Sequence, residues 1–223
     1  MSERTHMPIE TDIDKIVRIL TERYHRTTSA LMDVSHTRDP FKVLISCILS
    51  LRTKDNVTAK ASERLFARAG TPEELLLLTK DEIETLIYPV GFYHRKADQI
   101  LEISRVLIDK YNSRVPDTID ELLNFKGVGR KTANIVVTMG YNKLGVAVDT
   151  HVHRISNRLG LVKTKMPEQT EFALRELLPK KYWIVFNDLL VMHGQNICTP
   201  ISPKCSMCPI IDHCKRVGVT RFR

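Results

Sequence analysis

No apolar run in this sequence approaches the roughly 20 residues that a membrane-spanning helix requires. The first residues, Met1 to Asp14, are polar and charged and lack the apolar stretch of a secretion signal, so a cytoplasmic protein is expected. Low-complexity tracts, blocks of like charge and repeats of fixed period are missing too, which sets aside solenoids and tail-driven binding. No segment sustains the period-2 alternation of a strand. What remains is a chain of 223 residues, 43% hydrophobic, long enough for one large or two small domains with cores of their own. Lys and Arg number 34 against 26 Asp and Glu, a formal net charge of +8. That balance favours a polyanionic partner without naming one.

The fold class read from this pattern is all-α. Start signals recur: Thr71-Pro72-Glu73-Glu74 offers a cap, a proline at the first helical position and a glutamate at the third. Thr79-Lys80-Asp81-Glu82 and Thr118-Ile119-Asp120-Glu121 repeat the capping box. Helices are expected over about 11–25, 40–51, 55–69, 72–78, 80–87, 94–111, 117–124, 130–141, 150–159, 168–177 and 181–193. The stretch Phe41 to Leu51 is apolar on nearly every face, which marks a central buried helix with Cys47 as a core residue.

One stretch carries more chemistry than the rest: Phe125-Lys126-Gly127-Val128-Gly129-Arg130-Lys131. Two glycines one residue apart between helical segments describe a tight hairpin, because glycine permits positive φ and close approach of another backbone. The amides of Val128, Gly129 and Arg130 are expected to be unpaired at the mouth of the second helix, where they and the helix dipole favour a phosphate. Lys131 falls in the first turn of that helix, although cations prefer the other end. A solvated surface lysine is the plain alternative. Asp149, eighteen residues on, falls at the cap of the next helix, and position alone reads it as an ordinary N-cap.

Cys198, Cys205, Cys208 and Cys214 form the second signal, Cys-x6-Cys-x2-Cys-x5-Cys. Disulfides do not suit the expected compartment, and the Cys205/Cys208 separation is that of metal ligands. Four thiolates on one irregular loop stiffened by Pro200, Pro203 and Pro209 suit zinc or a 4Fe–4S cluster, and spacing does not choose between them.

The hairpin with its lysine, the Val148-Asp149-Thr150-His151 segment and this cysteine spacing together resemble the endonuclease III family, helix–hairpin–helix DNA glycosylases that also cleave at abasic sites. The resemblance runs from Phe41 to Cys214. It implies two helical domains with DNA held between them: a six-helix domain over about 33–143 containing the helix–hairpin–helix at about 117–141, and a cluster domain made of about 1–32 with 144–223. It implies a 4Fe–4S cluster on the four cysteines, acting structurally. It also implies base excision repair on duplex DNA with damaged, oxidised pyrimidines as the expected substrate, by a monomer associated with the nucleoid.

In the family, the counterpart of Lys131 attacks C1′ of an extruded nucleotide, and that of Asp149 assists proton transfer and offsets charge on the sugar. The DNA-binding set so implied is Lys126, Gly127, Val128, Gly129 and Arg130 of the hairpin, with Arg52, Phe92, His151 and Lys204. Arg52 stands where the family usually has a glutamine wedge, and its guanidinium can stack and donate several hydrogen bonds. Phe92 stands where an intercalating leucine is common; a core phenylalanine is the alternative. Lys126 replaces the usual proline. Lys204 is the one cation between the first two cysteines, with Lys215 and Arg216 following the last. Two other functions fit parts of the pattern. A monofunctional mismatch glycosylase would carry another residue type at Lys131, and a non-catalytic helix–hairpin–helix protein with a structural metal would need neither Lys131 nor Asp149.

Overall fold

A computed structural model describes residues 12–24 and 39–223, and among them there is no strand. The helices are α1 (Asp12–Tyr24), α2 (Pro40–Ser50), α3 (Asp55–Arg68), α4 (Pro72–Leu76), α5 (Lys80–Ile87), α6 (Tyr93–Tyr111), α7 (Ile119–Leu122), α8 (Arg130–Ile135), α9 (Thr150–Leu159), α10 (Pro167–Leu177) and α11 (Val185–Asn196). Thr71 and Thr79 close full capping boxes with Glu74 and Glu82. At Thr118 the box is incomplete: its hydroxyl accepts from the Glu121 amide, while the Glu121 carboxylate returns to the hydroxyl. Asp39 caps α2 by accepting from the amides of Phe41 and Lys42.

Three expected helices differ from the structure. The segment 117–124 shortens to the single turn of α7. The segment 130–141 is α-helical only to Ile135 and continues as a π turn, Val136–Gly140. There the Thr138 hydroxyl donates back to the carbonyls of Asn134 and Ile135, at 2.8 and 3.2 Å, which disturbs the regular ladder. The segment 181–193 divides into a 3₁₀ turn, Lys180–Tyr182, and α11. The Trp183 indole donates to the Leu178 carbonyl at 2.9 Å, fixing the corner between them.

The chain separates into two compact units, Thr28–Ala147 and Met1–Thr27 with Val148–Arg223. The boundary expected near 32/33 lies outside the described residues. In the first unit α2 is the centre: Leu44, Ile45, Ile48 and Leu49 are fully buried and pack with Leu65, Ile83, Ile100 and Val136. Each such side chain contributes about 1.5–3 kcal/mol on burial. Cys47 is part of this core. In the second unit α11 packs against α1 and α9, with Leu20, Ile155, Phe186 and Leu190 between them. The Tyr24 hydroxyl lies 3.3 Å from Nδ1 of buried His193, and Lys181 pairs with Asp14 at 2.9 Å. Among the described residues no helix is long and apolar enough to cross a membrane.

Candidate active site and cysteine loop

In the first unit the chain turns between α7 and α8 through Gly127, whose φ is +77°. A Cβ there would meet the Gln99 amide nitrogen at 2.4 Å, and that nitrogen donates to the Lys126 carbonyl at 2.7 Å. The positive φ therefore demands glycine, while the Gln99 side chain could swing aside only by giving up its bond to the Lys126 carbonyl. Gly129 differs: its φ is −98°, and a Cβ would touch nothing within 4 Å. Open space, not strain, surrounds it. The Val128 amide was expected to be unpaired, but it donates to the Phe125 carbonyl at 3.0 Å, the bond that closes the turn. It is therefore spent inside the hairpin. Lys126 is exposed and pairs with Glu102 at 3.3 Å, so part of its charge is already balanced.

Lys131 is half-buried in the first turn of α8. It lies near enough to Cys47 for its charge to oppose the burial that pushes that thiol up to about 12. Arg130 precedes it, and the Asn134 amide donates to the Arg130 carbonyl at 3.0 Å. Arg52 and Phe92 are brought together. Both are exposed on left-handed backbone, φ +54° and +59°, and the Arg52 guanidinium lies 5.7 Å from the Phe92 ring centre. With 61% of its surface exposed, Phe92 is not the core residue that one reading allowed.

In the second unit Asp149 is the N-cap of α9; its Oδ1 accepts from the amides of His151 and Val152, both at 2.8 Å. His151 Nδ1 lies 3.1 Å from Arg154 Nη2. Gly194 of α11 makes room for both side chains, since a Cβ there would fall 2.3 Å from His151 Nδ1. Arg154 donates to the Cys198 carbonyl at 2.8 Å. Arg158, one turn on, donates to the Cys198 sulfur at 3.3 Å and to the carbonyls of Thr199 and Pro200. Helix α9 thus carries Asp149 at its start and grips the head of the cysteine loop along one face. Sequence reasoning missed these two arginines. Their only signal was two cations four residues apart on a polar helix face, which reads as solvated surface.

All four C-terminal cysteines are free thiols and line one cavity with Ile155, Leu159, His193 and Ile210. The empty space there is about 380 Å³, part of it open to solvent. Four thiols on one cavity wall provide one thiolate for each metal of a four-iron cluster. Three N–H groups among the described residues point at the sulfurs besides: Arg158 at Cys198, the Ile210 amide at Cys208, and the Arg216 amide at Cys214 at 3.4 Å. Burial pushes the Cys208 thiol up to about 11, and the neighbouring thiols add to this; Cys205 and Cys214 are raised in the same way, burial first. Four thiolates coexist here only around a cationic centre. Lys204 flanks this cavity, and the last residues fold back on the loop, where the Arg223 amide donates to the Pro203 carbonyl at 3.0 Å. The sequence-derived residues thus fall into three groups: the hairpin with Lys131, the Arg52–Phe92 pair, and Asp149 with His151 on the helix that holds the cysteines.

Residues 45–180 match the model of the HhH-GPD superfamily of base excision DNA repair proteins. Residues 198–214 match the iron–sulfur binding domain of endonuclease III. The chain is 48% identical to an endonuclease III of Thermotoga maritima over 203 residues, 91% of this chain and 92% of that protein. Among solved structures it is similar to a trapped endonuclease III–DNA covalent intermediate, with a TM-score of 0.82 and 33% identity over 94% of this chain and 97% of the other. It is also similar to a thermostable thymine-DNA glycosylase, with a TM-score of 0.80 and 27% identity over 92% of this chain and 96% of the other.

Proposed function

The chain belongs to the endonuclease III family of HhH-GPD base excision DNA repair proteins, and on that basis we propose that Lys131 is its nucleophile and Asp149 the acid–base partner. The protein is a base excision repair DNA glycosylase and abasic-site lyase that binds DNA and carries a 4Fe–4S cluster. The reading beyond this concerns which residues do what. The substrate is a duplex containing an oxidised pyrimidine, and the protein acts on it as a monomer in the cytoplasm. The two compact units are its hairpin and cluster domains.

The neutral Lys131 amine forms a bond to C1′ as the C1′–N bond to the base breaks and the base leaves with the electron pair. Ring opening gives an imine between Lys131 and C1′. Removal of a C2′ proton then expels the 3′ phosphate by β-elimination. The Asp149 carboxylate offsets the positive charge developing on the sugar and carries protons to and from the amine. The same carboxylate caps α9 through two amide bonds to Oδ1.

Gly127 shapes the hairpin, and the open space at Gly129 admits the DNA backbone against the start of α8, with Val128 filling the core beneath. Lys126 and Arg130 add charge beside it, and His151 and Lys204 of the other unit are further DNA contacts. Arg52 and Phe92 form the wedge that fills the stack when the nucleotide leaves it. Cys198, Cys205, Cys208 and Cys214 hold the cluster, which when bound supplies the cross-link that orders this loop.

The observation that carries the nucleophile assignment is Lys131 itself, a cation in the first turn behind the glycine hairpin where the dipole favours an anion. Borohydride with damaged duplex should trap wild-type protein on DNA, and Lys131→Gln should abolish trapping and strand cleavage while binding stays within several-fold. Trapping by Lys131→Gln would place the nucleophile elsewhere. The likeness to a thymine-DNA glycosylase favours a second reading, removal of thymine without cleavage; release of base with no trapped adduct would select it.

A further inference from the structure

Lys96 lies in the first turns of α6 and is 5% exposed, yet it belongs to none of the groups above. Its ammonium donates to the Leu49 carbonyl at 2.8 Å, the Leu51 carbonyl at 2.6 Å and the Thr53 hydroxyl at 3.2 Å. Three acceptors match the three hydrogens of an ammonium, so its donors are fully used within the protein. Two of the acceptors are carbonyls at the end of α2, where a helix leaves them without partners and where a cation is favoured. A lysine misplaced at the start of its own helix is well placed at the end of another.

The bonds lead to the wedge. Leu51 and Thr53 flank Arg52, whose backbone is left-handed. The Thr53 hydroxyl also accepts from the Gly91 amide at 3.2 Å. Gly91 adjoins Phe92, and a Cβ at Gly91 would fall 2.7 Å from the Arg52 carbonyl oxygen. The two turns therefore touch backbone to backbone, joined through Thr53 with the Lys96 ammonium at their base. Burial draws that ammonium down from its ordinary value to about 8, the mark of a charge kept from water.

We infer that Lys96 is a positioning residue that locks the Arg52 and Phe92 turns into one preformed wedge for nucleotide extrusion. The inference rests on the wedge reading of those two residues. Both occupy backbone that residues other than glycine adopt only when their surroundings enforce it. An apolar side chain at position 96 would fill the core as well but would leave the carbonyls of Leu49 and Leu51 without their donor. The turns would then have to order themselves each time a base pair opens, which slows extrusion and not the chemistry at C1′.

The test uses single-turnover rates of Lys96→Met on two substrates. One is a duplex with a paired lesion. The other is a single-stranded abasic oligonucleotide, which has no stack to open. We expect a loss on the order of ten- to a hundredfold on the first and near wild-type cleavage of the second. Fluorescence of 2-aminopurine placed opposite the lesion should show a smaller unstacking step on binding. Equal losses on both substrates, or none on either, overturn the inference. If Lys96→Met does not fold, Thr53→Val, which leaves Lys96 in place, is read by the same criteria. Arg52→Ala and Phe92→Ala separate the two levels. If neither affects the paired substrate, the wedge reading falls and this inference with it. If they do and Lys96→Met does not, the inference falls alone.

Discussion

The Arg158 guanidinium donates to the Cys198 sulfur at 3.3 Å and holds the carbonyls of Thr199 and Pro200, each at 2.7 Å. The same helix begins at Asp149, whose carboxylate caps it. One rigid element thus mounts both the proposed acid–base group and the head of the cysteine loop. Order in the loop and the position of Asp149 are therefore linked through α9.

Arg158→Met should keep the aliphatic packing and lose three charge-assisted bonds, each worth about 1.5–3 kcal/mol when buried and less at a partly exposed site. The cluster should then be lost to an iron chelator faster than from wild type, followed by its visible absorbance, with activity falling in step. Chelator kinetics equal to wild type would show that the loop holds itself.

Much of this arrangement was legible in the sequence, and the reasons are local. Thr71 and Thr79 signal helix starts because a cap and its glutamate are three residues apart. The Phe41–Leu51 run signals a central helix because it is apolar on nearly every face. The four cysteines and Lys131 stand out by residue type at fixed spacing. What stayed hidden depends on partners far along the chain. Arg158 and Lys96 read as ordinary surface cations until Cys198 and Leu51 come beside them, because periodicity says which face a residue takes and not what meets it. The π turn at Val136 was also hidden, since it differs from an α-helix by one step in hydrogen-bond register and leaves the apolar pattern almost unchanged.

Asp149→Asn should leave the fold intact, because asparagine caps helices about as well as aspartate and both cap bonds come from backbone amides to Oδ1. Base release should nevertheless slow by about a hundredfold or more, the usual order for removing a positioned acid–base group. Melting at the wild-type temperature together with single-turnover rates gives the comparison. Full activity would reduce Asp149 to its capping role.

The two hairpin glycines should fail differently. Gly127→Ala places a Cβ on left-handed backbone, at a cost of about 1–2 kcal/mol, and drives it into the Gln99 amide; its melting temperature should drop. Gly129→Ser meets no neighbour and supplies a favourable N-cap for α8, so its melting temperature should equal or exceed wild type. Its affinity for duplex DNA should still weaken by about tenfold, or 1.4 kcal/mol, because the added atoms fill space proposed for the phosphate backbone. Undiminished binding by a well-folded Gly129→Ser would move the DNA surface away from this hairpin.

Lys96 makes a prediction whose sign is set by linkage. Burial lowers its proton affinity on folding, from the ordinary 10.5 to about 8. Between about pH 8 and 10.5 the unfolded chain therefore binds more protons at this site than the folded chain does, and stability contributed by the residue rises with pH across that window. Below about pH 8 both states hold the proton and the contribution is level, at the value in which the cost of burying the charge is fully felt. Lys96→Met has no group to titrate and serves as the reference. The melting-temperature difference between wild type and Lys96→Met should shift in favour of wild type from pH 7.5 to pH 9.5. A difference that stays constant, or moves toward the variant, would mean that the carbonyls of Leu49 and Leu51 hold the proton strongly enough to cancel the effect of burial.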